Sequence, residues 1–255
     1  MGRTITDTAD IILQANDEPD SKLSLWAVVP VKVLDESKRR LNAALGSDRR
    51  GITLAMLKDV LFALANSSRI ERTAVVTADP DVSSAASGLG ARVIDEIEPR
   101  GMNGAIKLGI ENIRHLGGSH VVVLPADIPL ATGEELDRLM QLHEAEQRAG
   151  GNSVVGITPS ADGRGTNLLC VDTSRDFEPC YGPNSYSLHL GRALQSSCRS
   201  VTLESSALSL DIDNRADLQT FIQTCLADTR FQATETWKFL QAAGLLECLG
   251  KAEGG

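Results

Sequence analysis

Short apolar runs rich in β-branched residues alternate along this chain with longer segments whose apolar side chains recur at helical spacing. Leu25 to Val31 (LWAVVPV), Thr73 to Thr77, the ARVIDE stretch, Val121 to Leu124 and the run inside NSVVGITPS are each too short for a helix and predict strands. Between them, Ser47 to Ser67 carries Leu54, Leu57, Leu61 and Leu64 as one stripe, which predicts an amphipathic helix with a single core-facing side. A small-residue helix is expected from near Asp81, and another with Ile106, Ile110 and Ile113 on its apolar face. Two more are expected around Leu218, Ile222 and Leu226 and around Trp237, Phe239 and Leu240. Such alternation predicts one α/β domain, a mostly parallel central sheet flanked by helices and joined by right-handed crossovers. Its expected extent is 23–248, with a mobile extension over 1–22 and a disordered tail over 249–255.

The stretch HVVVLPADIPLATGEEL, His120 to Leu136, organises the rest. Asp127 follows the buried run between Pro125 and Pro129, whose rings force the backbone to turn. Thr132 is the expected cap of the next helix, with Glu134 and Glu135 in its first turn. In open α/β sheets ligands bind at such strand ends. Taken alone, Asp127 reads as a turn-capping aspartate. Asp211 and Asp213, in LSLDIDNRADL, also end an apolar run, and strand alternation would put both carboxylates on one face. Three convergent carboxylates would suit magnesium held jointly with substrate phosphates.

Other candidates are turns and charges. Lys38, Arg39 and Arg40, following Lys32, form the densest positive charge in the chain; a solvated loop and a phosphate-binding loop at the switch point both fit. No GxxxxGK or GxGxxG pattern occurs. Gly101 and Gly104 flank Met102 and Asn103; Asn103 is either a helix N-cap, the commoner use, or an amide offered to a base edge. Gly163 to Thr166 forms either a hairpin turn or an anion-binding nest. Gly182 to Ser185 opens a further helix, where Ser185 either caps it or meets a phosphate at free amides. His189 reads as a packed histidine.

The net charge of −9 excludes a phosphate-backbone-binding surface, so no nucleic-acid partner is expected. The five cysteines lack a CxxC spacing and read as reduced thiols. No apolar run reaches the roughly 20 residues of a membrane span. The N-terminus lacks a signal-peptide pattern, and the expected location is the cytoplasm.

Together, VVPVK followed by KRRL, the strand-end PADIPL, GRGTN, FEPCYG with Ser185 and His189 after it, and DID before a DL helix resemble the guanylyltransferases of deazaflavin coenzyme F420 biosynthesis, from about Leu25 to Leu246. The resemblance implies a nucleotidyltransferase fold of the glycosyltransferase-A kind. It also implies transfer of GMP from GTP to 2-phospho-L-lactate, phosphoenolpyruvate or 3-phospho-D-glycerate. It assigns magnesium to Asp127, Asp211 and Asp213, and the phospho-acid to Thr166, Gly182 and Ser185. Lys32, Lys38 and Arg40 fall in the basic loop that meets the triphosphate, with Lys38, Arg40 and Asp127 in catalysis. Gly101 and Asn103 fall in the turn assigned to guanine. Met102 stands where leucine is usual and Arg39 where a small residue is usual, which inclines the acceptor towards 3-phospho-D-glycerate. A nucleotidyltransferase for a sugar phosphate or molybdopterin, and a noncatalytic nucleotide sensor, are the alternatives; a homodimer is left open.

Overall fold

The computed structural model describes residues 23–34, 41, 45, 48–98, 100–150 and 153–246. The expected extension, the tail and the cluster of Lys38, Arg39 and Arg40 lie outside the described residues. In chain order the elements are β1 (Leu25–Pro30), α1 (Arg49–Ala65), β2 (Arg72–Thr77), α2 (Pro80–Gly88), β3 (Arg92–Asp95), α3 (Gly101–His115), β4 (His120–Val123) and α4 (Gly133–Gly150). There follow β5 (Val154–Pro159), β6 (Thr166–Asp172), α5 (Ser185–Gln195), β7 (Arg199–Thr202), α6 (Ser206–Ser209), α7 (Arg215–Ala227) and α8 (Glu235–Ala242).

Among the described residues, seven strands make one sheet in the order β3-β2-β1-β4-β6-β5-β7. The four strands from β3 to β4 run parallel, β6 runs antiparallel to both its neighbours, and β7 is parallel to β5. The α/β class with a mostly parallel sheet is therefore as expected. Because β6 is reversed, its first residue, Thr166, lies at the same sheet edge as the carboxyl ends of β1 to β4.

Strand alternation divides the core. Leu25, Ala27 and Val29 face α1, α2 and α4 through Leu57, Val82 and Leu136, whereas Trp26 and Val28 face α3 and α5 through Ile106, Ile113 and Ala193. Helix α3 sits close on the sheet because Gly109 lacks a side chain; a Cβ there would lie 2.8 and 3.0 Å from the methyls of Val28 and 3.2 Å from one of Val76.

Two expectations are corrected. Helix α1 is not one-sided: Leu57, Leu61 and Leu64 face the sheet, while Ile52 and Met56 enter a separate cluster with Phe221 of α7 and Trp237 and Leu240 of α8. Leu54 is only partly buried. Asp59 of α1 also accepts the Glu235 and Thr236 amides and the Thr236 hydroxyl, meeting the amino end of α8; burial pushes its carboxyl up to about 6. Nor is the Leu208–Asp213 run a strand: Ser206–Ser209 is a short helix, and Asp211 to Asp213 are irregular. Among the described residues no helix is long and apolar enough to cross a membrane.

Candidate active site

The strand ends open on one cleft of about 1060 Å³, lined by residues from β1 round to α7. At its centre stands the acidic segment. Asp127 follows β4 as expected, and Thr132 caps α4 by accepting the Glu135 N–H. The Asp127 carbonyl accepts the Ile212 N–H at 3.0 Å, which stitches the Asp211–Asp213 segment to the end of β4. Asp213 and Asn214 donate their amides to Asp217 in the capping box of α7, and Asn167 of β6 donates to Asp211 and to the carbonyls of Leu208 and Ser209. Asp127, Asp211 and Asp213 thus line one cleft through backbone and side-chain ties rather than through strand alternation. Burial, helped by the nearby charges of Asp127 and Asp213 and opposed by the Asn167 bond, pushes the Asp211 carboxyl up to about 6. Among the described residues, no three acidic, histidine or cysteine side chains lie close enough to enclose a metal ion by themselves.

On one side of this segment lie Thr166, Gly182 and Ser185. His189, fully buried, accepts the Cys180 N–H at Nε2, so the proton of its neutral ring sits on Nδ1 and donates to Thr166 Oγ1 at 2.9 Å. Ser185 Oγ donates to the same oxygen at 3.3 Å. Thr166 therefore accepts twice, and its own O–H proton is left to donate towards the cleft. Burial pushes the His189 imidazole down to about 4, which keeps it neutral near pH 7. The packed reading of His189 holds, and its packing sets the polarity of Thr166.

Four readings on this side are overturned. The Gly163–Thr166 turn is not an anion nest: the Arg164 amide is taken by Asp162 and the Gly165 amide by Ser160, because those side-chain acceptors lie inside the same hairpin loop. The first amides of α5 are spent too, Ser185 N–H on the Gly182 carbonyl and Tyr186 N–H on that of Arg164. Ser185 is not the cap, since that position falls to Asn184, in the left-handed region at φ 59°. Asn103 also does not cap. Arg100 holds that position, and Asn103 lies in the first turn of α3, where its amide donates to the Tyr181 carbonyl and accepts the Tyr181 N–H. With one bond at each end of its amide, Asn103 clamps α3 to the loop before α5, and it also lines the cleft.

On the other side, Lys32 is exposed at the end of β1, and Gly101 and Met102 line both the cleft and a slot of about 260 Å³ that opens from it. Asn167 was missed by sequence reasoning as a residue that positions Asp211. Its signal was a polar, non-β-forming residue inside an apolar strand.

The guanylyl transferase CofC-like family model matches residues 25–240. The phosphoenolpyruvate guanylyltransferase of Conexibacter woesei is 32% identical over 215 residues, covering 84% of this chain and 94% of that protein. The 2-phospho-L-lactate guanylyltransferase of Methanothermobacter thermautotrophicus is 32% identical over 193 residues, covering 75% of this chain and 81% of its own length. Among solved structures, a putative nucleotide-diphospho-sugar transferase from Desulfovibrio desulfuricans G20 shares the fold with a TM-score of 0.68 at 16% identity, over 89% of this chain and 98% of that one.

Proposed function

The chain belongs to the CofC-like guanylyl transferase family, and from that premise we propose that it transfers GMP from GTP to the phosphate of a three-carbon phospho-acid, releasing pyrophosphate, in coenzyme F420 biosynthesis. The observation that carries this reading is one cleft, among the described residues, in which neighbouring aspartates stand between an apolar slot and a donor-lined pocket. Phosphoenolpyruvate is the first acceptor to test, since the named relatives include enzymes for it and for 2-phospho-L-lactate. The inclination towards 3-phospho-D-glycerate gains no support: Met102 lines the slot beside Ala105 and says nothing of the acid, and Arg39 lies outside the described residues.

The chemistry needs alignment more than a base. A phosphate monoester carries about −1.5 to −2 charge near neutrality. Its oxygen forms the new bond to the α-phosphorus of GTP while the bond to the bridging oxygen breaks, and pyrophosphate leaves with that electron pair. Thr166, polarised by His189 and Ser185, donates to the acid, and Lys32 draws the triphosphate into the cleft. The donor set of Asp127, Asp211 and Asp213 consists of hard oxygens whose mutual repulsion a cation relieves, and it suits magnesium that completes its shell from substrate oxygens and water. Magnesium, when bound, supplies neutralisation of the phosphates and of the leaving group.

The test incubates the protein with GTP, magnesium and equal amounts of phosphoenolpyruvate, 2-phospho-L-lactate and 3-phospho-D-glycerate, and identifies guanylated products by mass. The expected result is a magnesium-dependent product, chiefly from phosphoenolpyruvate. Asp211→Asn should lower kcat about 100-fold or more, as loss of several kcal/mol of charge stabilisation requires, with an unchanged circular dichroism spectrum. Absence of any guanylated product would overturn the reading.

A further inference from the structure

The slot at the carboxyl ends of β1, β2 and β3 is walled by apolar groups of Pro30, Val31, Val33, Ala78, Met102 and Ala105. Its lining contains one acid, Glu96, the residue directly after β3. Glu96 is 8% exposed, and its backbone is pinned to the sheet because its N–H donates to the Thr77 carbonyl at 3.0 Å. One carboxylate oxygen, Oε1, accepts the Arg100 N–H at 2.8 Å; among the described residues no other hydrogen bond to this carboxylate is seen. A carboxylate offers about four acceptor sites, and Oε2, with no bonded partner among the described residues, is not sealed from solvent, which leaves it open to a ligand in the slot that Glu96 lines. The slot and the cleft share Lys32, Gly101 and Met102, so a planar ring in the slot would direct its attached phosphates past Lys32 towards the aspartates.

We propose that Glu96 is the residue that selects guanine, its carboxylate accepting the adjacent N1–H and 2-amino donors of the base. The proposal rests on the GTP reading above and adds the specificity-determining contact to it. The base edge decides the match. Guanine presents two neighbouring donors, whereas adenine and cytosine place a ring acceptor beside a single amino group, and uracil flanks its one N–H with carbonyls. An acceptor-only group therefore pairs twice with guanine and meets a repelling lone pair from adenine or cytosine. The apolar walls exclude water from this pairing, which strengthens the discrimination.

Equilibrium binding to the full chain, measured by calorimetry without acceptor, tests the proposal independently of turnover. Wild type should bind GTP more tightly than inosine triphosphate, which lacks the 2-amino group, by about tenfold. It should bind GTP more tightly than xanthosine triphosphate, with a carbonyl at that position, by more than this. Glu96→Gln keeps an oxygen for the Arg100 amide and replaces the other acceptor with a donor. It should lose about tenfold or more in GTP affinity and bind xanthosine triphosphate better than wild type does, which a purely structural role for Glu96 would not produce. An unchanged ratio of GTP to xanthosine triphosphate affinity in the variant would overturn the proposal. So would equal affinity of wild type for GTP and inosine triphosphate, a measurement that needs no variant. Selective GTP binding that Glu96→Gln shifts towards xanthosine triphosphate, without any guanylated product, would uphold Glu96 and overturn only the transfer reading. No GTP binding at all would overturn both.

Discussion

In the half of the cleft beside β6, side chains spend their hydrogen bonds on one another: His189 holds Thr166, Ser185 joins it, and Asn103 clasps the Tyr181 backbone. In the half at the ends of β1, β2 and β3, shape comes from packing, with apolar walls and α3 seated against Val28 and Val76 through Gly109. On the proposed reading, the difference follows from what each half would hold. A small phosphorylated acid has little surface, so it is recognised by donors that are already aimed, and aiming donors takes a network. A purine has broad faces, so a fitted apolar slot with one polar group at its edge is enough. The networked half should answer to protonation, and the packed half to volume.

The largest expected effect comes from protonating the network. His189 is pushed down to about 4 from 6.5, so the unfolded chain takes up a proton that the folded chain refuses. Its stabilising contribution is complete above pH 6.5 and is lost as pH falls towards 4, about 3 kcal/mol in all. His189→Gln removes that titration, so the gap in unfolding free energy between wild type and variant should narrow by about 3 kcal/mol from pH 7 to pH 4 in urea titrations. Asp59, raised to about 6, works in the opposite sense, favouring the fold below its unfolded pKa and ceasing to do so as pH rises through 6. It is common to both proteins and cancels. Parallel curves would show that the network does not feel protonation.

A volume change comes next. Gly109→Ala gains helix propensity but drives a methyl into Val28 and Val76, for a net cost of about 1 to 2 kcal/mol. Helix α3 should lift from the sheet and widen the slot, raising the Kd for GTP while the KM for the acid stays within experimental error. Equal changes in both would erase the distinction between the halves.

The smallest effect belongs to the clamp between them. Asn103 is exposed, so Asn103→Ala should cost about 1 kcal/mol or less. The loop from Tyr181 to Asn184 loses its tie to α3, so its amides should exchange faster and the acid KM should rise about threefold with GTP affinity unchanged. Unchanged exchange in that loop would show that the rest of the network holds it alone.

Local rules sufficed where one segment carries its own signal. The alternation of short β-branched runs with helical stripes determined the α/β class, Pro125 and Pro129 determined the turn that holds Asp127 beyond β4, and Thr132 determined the start of α4. Only the tertiary structure decided what depends on a partner from elsewhere in the chain. Helix α1 shows one apolar stripe in sequence, yet α7 and α8 bury its far side. The amides of Arg164 and Gly165 look like an anion nest until Asp162 and Ser160 are seen to occupy them, and Asn103 looks like a cap until Tyr181, 78 positions away, takes both ends of its amide. Glu96 stands among Asp95 and Glu98, which are both exposed, and nothing in the order of residues marks it as the buried one. Periodicity reports which face of an element is apolar, but the burial of a single polar group depends on which neighbour lands on it, and that is settled only when the sheet order brings β1, β2 and β3 together under the amino end of α3.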